Sequence, residues 1–459
     1  MAVRLRPGTI RLERSTFRTH SAPSHEPGST PTAPGRAVRH LATPRCRNPP
    51  AHPPSQVEQP SKVPPEILAM LQLDGTVRAV TPEETLAKID RPEVYERVGL
   101  TRVADLGRLD FLGLHVFAAF RPNGKALSSG QGKGVSKELA KVSAIMEAIE
   151  TWHAEFLRPA DAFGTTNELK AEGRNLRPWM ESQIGDGWPL DPDRTTGWIE
   201  GRDARTDEPV LIPREQVCLA FDEEACTTSF GGSTNGLASG NTFDEAVVHG
   251  LLEVVERQAE VLVETRLGEI NPPLIDTRTI ETPSLRALID EIESRGIHVV
   301  IEDRTEFAPG GIPTMAAYLE ETDILRGIGK MKGSGSHLSP RVAIARAITE
   351  AVQARVVMIS GSRDDFYPSF YESRRQLTME DQGPIRREGT KQFVDNTLDG
   401  RTFADLRTEI LDRLEANGFG PVTVIDLTDP VLDIPVASVT IEGCGFRHRS
   451  HQRPRMIRL

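Results

Sequence analysis

The chain has 459 residues, with 55 Lys+Arg against 66 Asp+Glu and a formal net charge of −11. Its 38% apolar content, brought into the usual globular range by 38 glycines, excludes global disorder and collagen-like composition. The charge is uneven, +7 over residues 1–63 and −18 over the rest, which argues against a nucleic-acid footprint on the folded part and suits a protein that gathers divalent cations. No apolar run is long enough to span a membrane, and Arg and Pro occupy the place of a secretory apolar region, so a soluble cytoplasmic protein is expected. Cys46, Cys218, Cys226 and Cys444 form no CxxC pair or zinc-spaced set and read as small buried thiols.

Residues 1–63 hold eleven of the 34 prolines and no hydrophobic periodicity, and are expected to be a disordered, basic extension. Folding is expected over 64–445, with 446–459 a basic C-terminal tail. A short amphipathic helix is predicted at Glu66–Leu73, then a strand at "TVRAV" (76–80), and the capping box Thr81-Pro82-Glu83-Glu84 opens a helix. Leu109–Phe120 reads as a strand with a turn at Asn123-Gly124, and "SSGQGKG" (128–134) as a Gly-rich loop before a helix from Val135 to Phe156. Beyond, 282–295 is helical, 297–303 and 312–320 are strands, and helix, strand and strand follow at 403–416, 421–426 and 435–441. The fold class is α/β, an α+β arrangement of mixed or antiparallel sheets with packed helices, because strands come in adjacent pairs.

Three helices repeat one polar pattern. Ala140, Ser143, Glu147 and Glu150 stand at offsets 0, 3, 7 and 10; Ala246, His249, Glu253 and Glu256 repeat it, and so do Ala343, Arg346, Glu350 and Gln353. Those offsets share one helical face, and the flanking positions are apolar nearly all round. One reading is the solvated face of three surface helices. Carboxylates gathered in an apolar setting instead raise one another's pKa until a cation neutralises them, and all-oxygen clusters select hard cations such as Mg²⁺, which is often shared with phosphates. The stripes therefore predict a Mg²⁺–nucleotide site. Lys133 and the glycines before the first helix suit an anion without matching a P-loop, and His337, near the start of the third helix, reads as a capping or surface residue.

The runs "TRVADLGRLDFLGLHVFAAFRPNGKALSSGQGKG", "AKVSAIMEAIETWHAE", "STNGLASGNTFDEAVVHGLLEVVERQAE" and "PRVAIARAITEAVQAR" resemble, in order, successive blocks of YcaO-domain proteins over roughly residues 80–445. The resemblance implies a YcaO-type ATP-binding fold with ATP and Mg²⁺ as cofactors. It implies an enzyme that phosphorylates a backbone amide oxygen of a ribosomally made peptide or protein after a nucleophile adds to the carbonyl. A side-chain nucleophile gives an azoline and external sulfide a thioamide. By the same resemblance Lys133, Ser143, Glu147, Asn241, Glu245, Arg257, Arg346, Gln353 and Arg355 bind ATP, while Glu147, Glu150, Glu253, Glu256 and Glu350 bind Mg²⁺. No catalytic residue is assigned. Thr151 departs from the "EAIER" pattern, and the sequence ends "RHRSHQRPRMIRL" instead of in a proline-rich tail. That ending, with the "TRVADLGRLDFLG" block, resembles members that work beside a TfuA-like partner in thioamidation; a homodimer is implied, and no nucleic-acid or membrane partner is expected. The alternative is a non-catalytic accessory factor assisting another enzyme such as a ribosomal-protein methylthiotransferase.

Overall fold

A computed structural model of the chain describes residues 70–73, 75–177, 191–220, 233–265, 271–321, 328–361, 368–369, 371, 388–396, 398 and 400–444. The expected extension (1–63) and basic tail (446–459) lie outside the described residues, which all fall in one unit spanning 61–459.

The described chain opens with a hairpin, β1 (Leu71–Leu73) and β2 (Thr76–Arg78), turned at Gly75, whose φ of +74° suits a residue without a Cβ. Of the helix predicted at 66–73, residues 66–69 lie outside the described residues and 71–73 is extended instead, its partner strand carrying Arg78 inward. Helix α1 (Pro82–Ile89) starts at the predicted capping box, Thr81 accepting from Glu84 N–H and Glu84 from Thr81 N–H, and α2 (Pro92–Val98) follows. Then come β3 (Arg102–Asp105), β4 (Val116–Phe120), β5 (Ser129–Lys133) and α3 (Lys137–Glu155). Of the strand predicted over 109–120 only its second half is extended.

Next are β6 (Ala162–Gly164), α4 (Thr166–Ala171), β7 (Thr196–Asp203), β8 (Pro209–Pro213), β9 (Leu237–Ser239) and α5 (Phe243–Thr265). The third stretch has α6 (Pro283–Ser294), β10 (Ile297–Asp303), β11 (Thr314–Glu321), β12 (Met331–Ser336) and α7 (Pro340–Ser360). It closes with α8 (Phe403–Ala416), β13 (Val422–Asp426) and β14 (Val436–Ile441), near the predicted bounds.

Besides the hairpin there are, among the described residues, three sheets: β3-β4-β5, β10-β11-β12, and β6-β7-β13-β14-β9 with β8 on β7. Every named strand pair is antiparallel, as the adjacent pairing in sequence suggested. Each of three apolar cores holds one of the patterned helices, α3, α5 or α7. No helix among the described residues is long and apolar enough to cross a membrane.

The Gly-rich segment before α3, expected as a loop, is a strand, and so is the one before α7. Their glycines let a helix fold back directly onto the strand that precedes it. A Cβ on Gly132 would stand 2.2 Å from Ala140 O and Ala144 N, and one on Gly333 or Gly335 would stand 2.3 Å or less from the α7 backbone at Ala343, Ala347 or Ala351. The helices meet these strands with alanines (Ala140, Ala144; Ala343, Ala347, Ala351), so backbone lies on backbone and each helix is held at a fixed height. Cys444 is a buried thiol as expected; Cys218 is buried but disulfide-bonded, and Cys46 and Cys226 lie outside the described residues.

Candidate nucleotide and metal site

The three patterned helices converge on one cavity of about 580 Å³. Lys133, Ser143, Glu147, Glu150, Asn241, Glu245, Glu253, Glu256, Arg257, Arg346, Glu350 and Gln353 all line it. Six carboxylates and five cationic side chains share its wall, so the stripes are not the solvated faces of surface helices.

The residues at offset ten lock the three units into a ring. Glu150 of α3 accepts the Ser239 N–H (2.8 Å) and Oγ–H (2.6 Å) at the end of β9, the strand before α5. Glu256 of α5 accepts the Ser336 N–H (3.1 Å) at the end of β12, the strand before α7. Gln353 of α7 donates Nε2–H to the Gln131 carbonyl (2.7 Å) in β5, the strand before α3. Each helix thus grips the strand of the next unit. This also accounts for the odd member of the repeat: two latches meet a backbone N–H and are carboxylates, while the third meets a carbonyl and needs an amide donor.

The residues at offset seven and their neighbours set the electrostatics. Burial, with the Glu147 carboxylate adding to it, outweighs the two Ser239 hydrogen bonds and pushes Glu150 up to about 8. Burial raises Glu253 to about 7, Glu256 and Glu350 adding to the effect and Arg257 and Arg346 opposing it. Burial and the facing Glu350 also raise Glu256. Glu350 goes the other way: although burial opposes it, Lys133, which donates to it, and Arg257 hold its carboxyl well below the usual range. Burial raises Glu245 too, so the cavity holds one acid ionised by cations and four toward the neutral form until positive charge arrives.

Several further lining residues carry no signal at the sequence level. Arg78, brought in by the β1–β2 hairpin, lies 3.7 Å from Glu245, itself 1% exposed, and donates Nη1–H to His249 Nε2 at 3.1 Å. That bond makes Nε2 the acceptor and leaves the proton on Nδ1, which donates to the Ser239 carbonyl at 3.3 Å. Burial, and then Arg78 and Arg346, hold the imidazole neutral. His249 was visible as the offset-three member of its stripe; Arg78, Thr85 and Lys332 were not, because only tertiary folding brings them in. Glu245 accepts the Asn241 N–H at 3.0 Å, and Asn241 Oδ1 accepts from Thr85 at 2.9 Å.

Arg355 is not brought to the cavity. It is 1% exposed, donates to Asp110 (2.8 and 3.3 Å) and Glu321 (2.9 Å), and stacks on Phe111. Nine residues beyond Arg346 it leaves the polar stripe and enters the core, so the expected ATP-binding role of Arg355 is corrected. His337, expected as a capping or surface residue, is neither: it is buried just before α7, which has no side-chain cap, its Nδ1 accepts the Ser339 N–H (3.0 Å), and burial, Arg346 and Arg78 lower it to about 3.

The family model described as YcaO cyclodehydratase, ATP- and Mg²⁺-binding, matches residues 131–444. The chain belongs to the YcaO family. It is an ATP-dependent enzyme of the cyclodehydratase type, with ATP and Mg²⁺ as its cofactors. It is 33% identical over 377 residues to a protein of Methanothermobacter thermautotrophicus, covering 80% of this chain and 94% of that one. It is 35% identical over 382 residues to a protein encoded in the tfuA 3′ region of Rhizobium leguminosarum bv. trifolii, covering 80% and 88%. Among solved structures it is similar to YcaO from Methanopyrus kandleri bound with AMPPCP and Mg²⁺ (TM-score 0.61, 25% identity, 83% of this chain and 95% of that one). It also shares the fold of a heterocyclase in complex with substrate and cofactor (TM-score 0.64, 20% identity, 84% and 56%).

Proposed function

We propose that this YcaO chain activates a backbone amide of a ribosomally made peptide or protein and, beside a TfuA-like partner, converts it to a thioamide. The observation that carries this reading is the mixed wall of the cavity, six carboxylates and five cations around one space. Such a wall suits a ligand that brings both charges, as a magnesium nucleotide does. Along α7 the lining runs from Arg346 through Glu350 and Gln353 to the apolar Val357 and Met358. That is a gradient of about 18 Å at helical rise, from an anion-binding end to an apolar one.

The residues present fit the two cofactors. Arg346 Nε and Gln131 Oε1 are buried without a hydrogen-bond partner, an unused donor and an unused acceptor. Among the described residues no three acidic, histidine or cysteine side chains enclose a metal ion by themselves, which suits Mg²⁺ shared between one or two carboxylates and phosphate oxygens. On this reading Lys133, Ser143, Glu147, Asn241, Glu245, Arg257, Arg346 and Gln353 hold ATP, and Glu147, Glu150, Glu253, Glu256 and Glu350 hold Mg²⁺. When bound, ATP supplies the phosphoryl group that turns an amide oxygen into a leaving group, and Mg²⁺ neutralises phosphate charge. Arg78, Lys133 and Arg346 supply fixed positive charge where an amide oxyanion would develop. The relative from the tfuA region favours the thioamide branch and the TfuA-like partner.

The test is to incubate the full chain with Mg-ATP, sulfide, the TfuA-like partner and its peptide, and to weigh the product. A gain equal to sulfur minus oxygen supports the thioamide; loss of one water assigns an azoline; an unchanged peptide with no ATP turnover favours an accessory factor. Glu147→Gln and Glu253→Gln are expected to abolish turnover, and undiminished hydrolysis in both would remove the site assignment.

A further inference from the structure

A second cavity of about 70 Å³ abuts the first, and the two share Arg78, Lys133, Ser143 and Arg346. Its remaining wall comes from the β1–β2 turn, the start of α3 and Thr349 of α7. Charge is segregated between the two spaces: all six carboxylates line the large cavity, and none lines the small one, where three cations stand. Two of those cations have acidic neighbours on the large-cavity side, Arg78 with Glu245 and Lys133 with Glu350. The Arg346 Nε–H is buried with no acceptor. A buried guanidinium N–H left unmade is costly, and an anion relieves that cost. The size limits the choice. At about 70 Å³ beside the about 580 Å³ of the first cavity, the space suits a small anion rather than a whole nucleotide or peptide.

We infer that the small cavity binds the sulfur nucleophile as hydrosulfide, a small soft monoanion. This rests on the thioamidation reading above. The amide must be approached by two reagents, phosphoryl donor at its oxygen and sulfur at its carbon, and two cavities divided by one cationic wall keep them apart until the amide lies between them. Hydrosulfide gives its electron pair to the carbonyl carbon, forming the C–S bond and moving the C=O π pair onto oxygen. That oxyanion takes the γ-phosphoryl group as ADP departs. The C–O bond then breaks, releasing phosphate, the S–H proton leaves with it as hydrogen phosphate, and C=S remains. The three shared cations keep sulfur in its anionic form and face the oxyanion as it appears.

Thr349 lines only the small cavity, and its hydroxyl is bonded within its own helix, to Ala345 O at 2.8 Å. Thr349→Leu, which fills the space, is expected to raise the KM for sulfide at least tenfold and leave the KM for Mg-ATP within twofold; Thr349→Val, which keeps the volume, is expected to match the parent. A raised KM for Mg-ATP with that for sulfide unchanged would give the cavity to the nucleotide and overturn the inference. The unmodified chain offers a second measurement. Bromide, a monoanion of similar radius, is expected to compete with sulfide but not with ATP, and to give an anomalous peak beside Arg346 in crystals grown with Mg²⁺ and AMPPCP. No competition and no peak would overturn the site. A peak in a protein without any sulfide-dependent turnover would keep the anion site and defeat the thioamidation reading, so the two failures are distinguishable.

Discussion

Helix α7 carries Arg346 into the cavity and Arg355 into the core, and the two regions treat the same side chain in opposite ways. Around Arg355 the fold supplies Asp110 and Glu321, two carboxylates for one guanidinium, and an aromatic face. Around Arg346 the carboxylates Glu253, Glu256 and Glu350 stand near enough to feel its charge, yet none accepts its Nε–H, which is left unmade. Where a fold completes its own charge pairing, the residue serves structure, and nothing is left for a ligand to gain. Where pairing is left incomplete in a cavity, the deficit becomes binding energy once a ligand of the right charge arrives.

That contrast predicts opposite signs for mutations in the two regions, beginning with the largest. Arg355→Leu strands two buried carboxylates and is expected to cost about 3–5 kcal/mol of stability, read as a lower urea midpoint. A loss below about 1 kcal/mol would mean that the cluster is not a closed structural unit. In the cavity, Glu253→Gln is expected to lower kcat/KM on the order of 100-fold or more while leaving the ligand-free protein as stable as the parent or more so, since one mutually repelling carboxylate is gone. Calorimetric melting beside a steady-state assay reads both, and a joint fall in stability and activity would erase the contrast.

The sequence made the site more legible than the fold around it. Offsets of 3, 7 and 10 on three helices survive any error in strand boundaries, because side chains on one helical face stay together wherever the helix is packed. Glycines misled for a physical reason: "SGQGK", like "MKGSGS" before α7, lacks side chains because a helix lies on it, not because it turns. The pair β7 and β8 went unseen, and Arg78 could not be found from its own neighbourhood, since its meeting with Glu245 and His249 spans more than 160 residues. Arg355 was placed by resemblance, and its position off the stripe was the available warning.

The next effect in size is the dependence on pH. Glu150, at about 8, and Glu253, at about 7, stand above the ordinary carboxylate range that they would show unfolded. Between that range and about pH 8 the folded protein therefore holds protons that the unfolded chain has released. Stability of the ligand-free protein is fullest at the acid end of that window and falls as pH rises. The expected loss is about 2 kcal/mol, less than the shifts alone would give because both side chains keep some contact with solvent. Glu150→Gln should flatten the slope of melting temperature against pH. Binding of Mg-nucleotide should run the other way, tightening as pH rises and releasing protons, which calorimetry in buffers of different ionisation enthalpy measures directly. A slope unchanged in Glu150→Gln would locate the buried charge elsewhere.

The smallest effect probes the ring, where satisfied and unsatisfied groups meet in one residue. Gln353 completes its own hydrogen bond to the Gln131 carbonyl, as Arg355 does with its partners, yet it lines the cavity, as Arg346 does. Gln353→Glu conserves shape and brings the third stripe into line with the other two. It also sets a carboxylate against a carbonyl oxygen, and neither can donate. The expected cost is about 1 kcal/mol of stability and a several-fold rise in the KM for Mg-ATP at pH 8. Because a protonated carboxyl regains a donor, the KM deficit should shrink on acidification toward pH 6, whereas that of Gln353→Leu should not. Were the ring latch only packing, both variants would show the same pH-independent deficit. If instead the added charge served as a further cation ligand, Gln353→Glu would bind Mg-nucleotide more tightly at pH 8 than the parent.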